Sequence, residues 1–272
     1  MNFMSKVLAV FFICVAYVFA AWDKFPVKPA GQGEAKSGVE HNAQGDLSAL
    51  GFNFGARFSV IEGLEVAVIG SYLLNAEYNG EDADIKKEIA TSGFLQPTLG
   101  LRYRPSMGRG FFLDIKLPYA TEELNPDNWV FYLGTQKSTN LTDNLLYGYE
   151  LGLVMATPDK HGILPGIALN LDVELDYSFG MATPFAGFNL PVKITSDAGG
   201  NNNYGYSNNS DGDSNRNAGF MPYAGMILKI NEMFSLDAKI AYALGDYFAM
   251  STNVNPDGDG IMIIAGYLSV NF

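Results

Sequence analysis

Apolar and polar residues alternate with a period of two along most of this chain, and that pattern constrains its fold more than any other feature. The clearest run covers residues 163–178. One face would carry Ile163, Pro165, Ile167, Leu169, Leu171, Val173, Leu175 and Tyr177, and the other Leu164, Gly166, Ala168, Asn170, Asp172, Glu174, Asp176 and Ser178. Such alternation is the signature of a β-strand. Soluble strands average about 5–6 residues and a bilayer takes about 9–11, so the length favours a membrane-crossing strand.

The alternation recurs in further segments, and in each of them one face is free of charge. These segments are residues 50–59, 93–104, 111–117, 145–155 and 234–244. A soluble β-sandwich would bury the apolar face against a second sheet, whereas a transmembrane barrel would turn it to lipid and its polar face to the lumen. The alternation alone fits both folds. Charged residues make up 17% of the chain, against about 25% in typical soluble domains, which favours the barrel.

The N-terminus predicts export. A single lysine, an apolar stretch of suitable length and a small-residue site ending at Ala20 indicate a signal peptide over residues 1–20, cleaved after Ala20. Residues 21–33 hold two prolines and no periodicity, which indicates a periplasmic linker. Cys14 lies inside the signal peptide, so the mature chain would hold no cysteine for a disulfide or a thiol site. The alternative, a membrane anchor, is disfavoured because the apolar run is too short.

The C-terminus predicts a second targeting signal. Residues 261–272 alternate once more, and Met262, Ile264, Gly266, Leu268, Val270 and Phe272 would share one face. A terminal aromatic residue preceded by alternating apolar residues resembles the signal that the outer-membrane barrel assembly machinery recognises, here Leu268, Val270 and Phe272. The two ends together predict a protein of the outer membrane of a Gram-negative cell.

The fold class that we predict is all-β, a transmembrane antiparallel up-and-down β-barrel over residues 34–272. With both ends in the periplasm, the number of strands must be even. Short connections would be periplasmic turns (60–63, 105–110 and 231–233), and longer polar stretches would be extracellular loops (75–91, 119–127, 196–218 and 247–260). The count comes to about 12 strands, or to about 10 if residues 127–137 and 184–195 belong to loops.

Several short segments in the first half of the mature chain form a recognisable set. They are residues 30–34 (AGQGE), 55–65 (GARFSVIEGLE), 99–103 (LGLRY), 115–118 (IKLP) and 129–131 (WVF). The set resembles the family of outer-membrane transporters associated with meta-pathway phenol degradation. The resemblance implies a barrel and the passage of small molecules, and it brings no catalytic residues and no defined solute.

The polar faces of the predicted strands would line the lumen. A basic wall would comprise Arg57, Arg102, Arg104 and Lys116, and an acidic wall opposite would comprise Glu150, Asp172, Glu174 and Asp176. Glu65, Asp114, Asp237 and Lys239 complete the candidate pore-lining residues. In one interpretation the walls set a transverse field in a water-filled passage, and the protein is a passive channel or porin for small polar or amphipathic solutes. In the other the charges pair across a narrow barrel, which is then a filled structural or surface-interaction protein.

Other chemistry has little support in the sequence. A barrel hydrolase would need a histidine near a serine or a carboxylate at the extracellular rim, and the only candidates are His41 and His161. Residues 211–215 and 255–260 match only the beginning of a calcium-binding loop. We therefore predict no enzyme, no cofactor and no metal site. Six aromatic residues are expected to form girdles at the two membrane interfaces: Tyr103, Trp129, Tyr147, Tyr177, Tyr242 and Phe272.

The net charge of −12 limits the partners of this chain, because an acidic protein binds nucleic acid poorly. The expected partners are outer-membrane lipids, lipopolysaccharide, the barrel assembly machinery and an unidentified small solute. Nothing in the sequence calls for an oligomer, so a monomer is the expected state.

Overall fold

A computed structural model describes residues 27–80, 92–105, 109–195, 198–199, 218–245 and 260–272. These residues form an all-β structure, a closed antiparallel barrel of 12 strands. The predicted fold class is thereby confirmed. The predicted signal peptide, most of the predicted linker and the two partial calcium-loop motifs lie outside the described residues, apart from Gly260 at the end of the second motif.

The barrel strands follow one another around the wall in chain order. They are β1 (Gly33–Gln44), β2 (Leu47–Ile61), β3 (Leu64–Tyr78), β4 (Thr98–Tyr103), β5 (Gly110–Lys116), β6 (Val130–Asn140), β7 (Leu145–Ala156), β8 (Ala168–Tyr177), β9 (Ala182–Lys193), β10 (Gly219–Lys229), β11 (Phe234–Gly245) and β12 (Ile261–Asn271). Because β6 and β9 are full strands, the larger of the two predicted counts is correct. The shorter elements are the two-residue segments Gly93–Phe94, Ile163–Leu164 and Ala198–Gly199 and a 3-10 turn, Glu122–Leu124.

The first and last strands close the barrel. Their antiparallel ladder runs from Glu34 opposite Asn271 to Ala43 opposite Met262. Beyond the ladder, the Gly33 N–H donates to the Phe272 carbonyl oxygen at 2.7 Å. Closure gives every described barrel strand a neighbour on both sides, so none of them is an edge strand.

The two ends of the barrel differ in their connections. We call the end that holds both termini and the connections 62–63, 104–109, 141–144, 178–181 and 230–233 the turn end, and the opposite end the loop end. The loop end has one tight connection, residues 45–46, and otherwise longer ones. Gly63 has a φ of 78°, a left-handed conformation that glycine adopts without strain.

The outer and inner faces of the wall have opposite chemistry. Large apolar side chains are exposed on the outside, and the predicted girdle residues Tyr103, Trp129, Tyr177, Tyr242 and Phe272 are among them. Charged and amide side chains are buried on the inside. An apolar belt of this extent around a polar interior is the arrangement of a barrel in lipid. Within the described residues, no helix combines the length and apolar character needed to span a membrane.

Two predicted strands are interrupted, and both interruptions contain a proline. The predicted strand 163–178 breaks at residues 165–167, and the segment before the break has the opposite phase, with Ile163 buried and Leu164 exposed. Pro165 has no N–H to donate to a ladder, so pairing cannot continue through it. At the far side of the break, the Ile167 N–H donates instead to the Thr195 hydroxyl oxygen at 2.8 Å.

The second interruption falls at residues 95–97 of the predicted strand 93–104 and ends with Pro97. The sequence pattern places Leu95 on the outer face with Leu99. In the structure Leu95 is instead buried against Leu73 and Leu124, because the alternation changes phase across the break. Period-two counting fails at such a point, since it assumes an unbroken strand.

The closing ladder supplies a test of the packing. A Cβ atom added at Gly38 of β1 would overlap the Gly266 carbonyl oxygen and lie 2.7 Å from the Tyr267 Cα atom. A Cβ atom added at Gly266 would have its nearest neighbour at 3.9 Å. We therefore expect Gly38→Ala to lower the free energy of unfolding by about 1–3 kcal/mol and Gly266→Ala to leave it nearly unchanged. Urea unfolding of the barrel in lipid vesicles measures both values, and equal losses would contradict the register of the closing strands.

Candidate functional site

The interior of the barrel is the one surface on which the predicted site residues meet. Its charged side chains concentrate toward the turn end. The wall near the loop end is mainly apolar, with clusters that include Leu73 and Leu95, Val130 and Val154, and Met221, Ile261 and Ile263. Exceptions include Glu40 and Asn42 on β1, which are fully buried, and Lys116 at the loop end of β5. The lumen wall therefore changes character along the barrel axis.

Arg57 is the centre of an ion-pair network at the turn end. Its Nη2 atom lies 2.7 Å from Glu34 Oε2 on β1, and its Nη1 atom lies 3.5 Å from Glu65 Oε1 on β3. Lys28, which precedes β1, adds a second cation, with its Nζ atom 3.6 Å from Glu34 Oε2. Burial lowers the pKa of Lys28, against the opposing effect of the Glu34 carboxylate. Residues just before the first strand thus take part in the interior network.

Two further ion pairs neutralise cations on the same side of the barrel. Arg102 on β4 donates to both carboxylate oxygens of Asp114 on β5, at 2.6 and 2.9 Å, with its guanidinium 5.2 Å from the Phe112 ring centroid. Lys36 on β1 lies 2.5 Å from Asp237 on β11. Two arginines of the predicted basic wall, Arg57 and Arg102, are therefore balanced by acids on adjacent strands.

The other two members of the predicted basic wall are placed differently. Arg104 follows the end of β4 and is half-buried, and its backbone N–H donates to the Gly63 carbonyl oxygen at 2.6 Å. Lys116 is the last residue of β5, at the loop end, on the same inward face as Asp114. Lys116 is therefore separated along the axis from the turn-end pairs, whereas Arg104 lies in a turn-end connection.

The predicted acidic wall is present as a compact group on β7 and β8. Glu150 and Asp172 are direct cross-strand partners, and Glu174 and Asp176 follow on the same inward face of β8. All four side chains are buried. The neighbouring strands place neutral amides beside them, since Gln136 of β6 pairs with Glu150 and Asn189 of β9 pairs with Asp172. Like charges at directly paired positions destabilise a sheet, so this arrangement is costly for the fold.

Tyr223 links the acidic group to the remaining predicted site residue, Lys239. Its hydroxyl donates to Asp172 Oδ1 at 2.9 Å, and the Lys239 Nζ atom lies 4.1 Å from its ring centroid. To reach from β10 to β8 the ring must cross β9, and it does so at Gly187. A Cβ atom there would lie 2.6 Å from the tyrosine Cζ atom. The absence of a side chain at Gly187 leaves the space that the ring occupies.

The sequence analysis missed several interior polar residues, chiefly those of β1. Glu40 is fully buried and accepts hydrogen bonds from Asn42 at 3.0 Å, Asn53 at 3.3 Å and the Tyr267 hydroxyl at 3.1 Å. Glu34 and Lys36 were missed as well. The signal was present, since polar residues stand at positions 34, 36, 40 and 42, all even numbers. Small residues such as Ala35 and Ser37 on the other face made the alternation weak.

The two histidines do not combine with the interior acids. His41 of β1 lies on the outer face and is exposed. His161 lies in the connection between β7 and β8, where its backbone N–H donates to Asp159 Oδ1 at 2.8 Å. Among the residues that the structure describes, no group of three or more histidine, cysteine or acidic residues is placed to hold a metal ion.

Arg57 supplies a test of the interior network. Replacing it with methionine keeps the apolar stem and removes the cation that Glu34 and Glu65 share, so we expect the free energy of unfolding to fall by about 3–5 kcal/mol. The matched control is Arg104→Met, because the Arg104 side chain makes no ion pair or hydrogen bond within the described part of the chain. Its loss should cost about 0.5 kcal/mol or less. Similar losses in urea unfolding for the two variants would contradict the assignment of Arg57.

Comparison with known proteins gives the fold and no closer relation. No protein-family model and no curated protein matches the chain by sequence. An outer-membrane channel from Pseudomonas putida F1 matches with a TM-score of 0.68 at 12% identity, over 92% of this chain and 98% of that one. The NanC porin matches with a TM-score of 0.54 at 8% identity, over 87% of this chain and 98% of that one. At these identities the likeness establishes a shared architecture, the closed antiparallel β-barrel of outer-membrane proteins.

Proposed function

We propose that this protein is an outer-membrane β-barrel that acts as a passive channel for small solutes, with its turn end in the periplasm. The orientation follows from the connections, since outer-membrane barrels have short periplasmic turns and longer extracellular loops. Two solved barrels of similar fold are themselves described as an outer-membrane channel and a porin. These two descriptions support a transport role for this chain, and neither identifies its solute.

The observation that carries the proposal is the acidic group on the inner wall. Glu150 and Asp172 face each other in register, with Glu174 and Asp176 beside them. Burying like charges side by side costs stability, and a barrel that served only as a scaffold could fill the same space with apolar side chains at lower cost. Acids retained at such a cost are better explained by a passage whose contents they select.

The distribution of charge predicts the sign of that selection. Arg57 and Arg102 each lie in an ion pair with an acid on an adjacent strand, and Lys36 of β1 pairs with Asp237 of β11, two strands away. The acidic group of β7 and β8 has neutral amides as its lateral neighbours. We therefore infer a net negative potential along the charged part of the lumen, which favours cations and the positive ends of polar solutes.

The axial change in the wall narrows the class of solute. A small amphipathic molecule can contact apolar side chains near the loop end and polar side chains near the turn end during one passage. The sequence resemblance to the transporter family associated with meta-pathway phenol degradation is compatible with such a solute. It adds no residue that would define the molecule, and the resemblance enters here as part of the proposal.

The competing function is a filled barrel with a structural or surface-interaction role. The observation that favours it is the deep burial of the interior side chains, of which Glu40, Asn42, Asn53 and Ser59 are 0% exposed. A hydrolase has weaker support, because His41 lies on the outer face. Conductance separates the first two functions directly.

The test is single-channel recording of the mature chain, Ala21 to Phe272, in a planar bilayer under a salt gradient. We expect discrete conductance steps with a cation preference. The variant D172N/E174Q/D176N should lose most of that preference, with the reversal potential moving toward zero, because the selecting charges are gone. The control E62Q/D143N/E232Q removes the same number of acids from exposed periplasmic turns and should keep most of it.

Two outcomes would overturn parts of this proposal. A silent bilayer, with folded protein shown to be inserted by its altered gel mobility before boiling, would establish the filled barrel instead. An open channel in which both triple variants change the selectivity equally would remove the acidic group from the passage.

A further inference from the structure

Lys137 of β6 lies on the outer surface of the barrel, where most side chains are apolar. Its neighbour Gln136 is buried on the inner face, and Lys137 is exposed on the outer one. It is the one lysine or arginine that a described strand directs outward, since the cations of the other described strands lie on the inner face. A cation on the lipid face costs about 2–4 kcal/mol at the bilayer midplane and much less near the interface.

A second cation lies beside it. Gly110, the first residue of β5, pairs with Gln136. The adjoining positions in this register are Arg109 and Lys137, and both side chains are exposed. Directly paired positions on antiparallel strands have Cβ atoms about 5 Å apart. Two positive charges therefore meet on the outer surface near the turn end.

Neither cation has a counter-ion among the described residues. Within the described residues, neither side chain makes an ion pair or a hydrogen bond. The interior cations Lys36, Arg57 and Arg102 are all paired. Like charges side by side repel each other, so an external anion would stabilise two cations at this position.

Tyrosine hydroxyls complete the surface. Tyr149 of β7 is the cross-strand partner of Lys137, and Tyr147 is the partner of Thr139. The two tyrosine rings have centroids 6.2 Å apart, and within the described residues their hydroxyls have no hydrogen-bond partner. Tyrosine at a membrane interface places its ring among acyl chains and its hydroxyl among headgroups. We call Arg109, Lys137, Tyr147 and Tyr149 the outer cationic patch.

We propose that the outer cationic patch binds the phosphate of an anionic phospholipid in the periplasmic leaflet of the outer membrane. Lys137 is three positions from Asn140, the last residue of β6, which is about 10 Å along the strand. From that depth a lysine can extend its ammonium group to the headgroup region while its stem stays among acyl chains. Arginine adds planar, bidentate donors suited to a phosphate. The proposal rests on the orientation given above and not on conduction.

The test is native mass spectrometry of the folded barrel in detergent with equal amounts of phosphatidylglycerol and phosphatidylethanolamine. We expect the wild-type protein to retain phosphatidylglycerol several-fold more than phosphatidylethanolamine, and R109Q/K137Q to lose that preference. The control K160Q/K229Q removes two exposed cations that lie outside the patch and should keep the preference. The gel-mobility shift on boiling shows that each variant is folded.

Three results would overturn the proposal: no lipid preference in the wild type, an unchanged preference in R109Q/K137Q, or an equal loss in the control, which would indicate a response to net charge alone. Conductance is recorded on the same preparations. A barrel that conducts but shows no lipid preference would refute lipid binding by the patch and support the proposed channel function. A barrel that shows the lipid preference but does not conduct would support lipid binding and refute the channel function.

Discussion

Backbone hydrogen bonding is the constraint on which the rest of this structure depends. In hydrocarbon an unpaired N–H or C=O group costs several kcal/mol, so a sheet in lipid must close on itself. Here β1 and β12 complete the circle in continuous register from Glu34 opposite Asn271 to Ala43 opposite Met262. Once closed, the wall has no freedom to slip by one residue, because a slip would turn the apolar outer face inward.

The closed register in turn fixes the electrostatics of the interior. Glu34 is paired in register with Arg57, and Glu65 with Arg102, so on that side cations and acids are brought together by the backbone itself. On the opposite side the same geometry brings Asp172 against Glu150. The balance of charge on one wall and the excess of acid on the other are both consequences of strand pairing. An interior that could rearrange its side chains freely would not hold such an asymmetry.

The sequence was sufficient for the fold and for the inward face of most strands, because long unbroken alternation in β2, β7 and β11 leaves one consistent register. It was insufficient where a strand breaks. Pro97 and Pro165 interrupt pairing, and the phase on the N-terminal side of each break, at Leu95 and Ile163, is set by contacts distant in sequence. The ion pairs could not be predicted from the sequence either, since each partner lies on another strand and the register of strand pairs is a property of the closed barrel.

Sequence patterns alone also do not show what the glycines do in the structure. Counted as small lumen residues, glycines suggest an open interior. In the structure Gly187 is covered by the ring of Tyr223, and Gly152 by the rings of Tyr132 and Phe112. The space above each of these glycines is therefore filled by aromatic rings of other strands, and glycine content alone does not indicate an open interior.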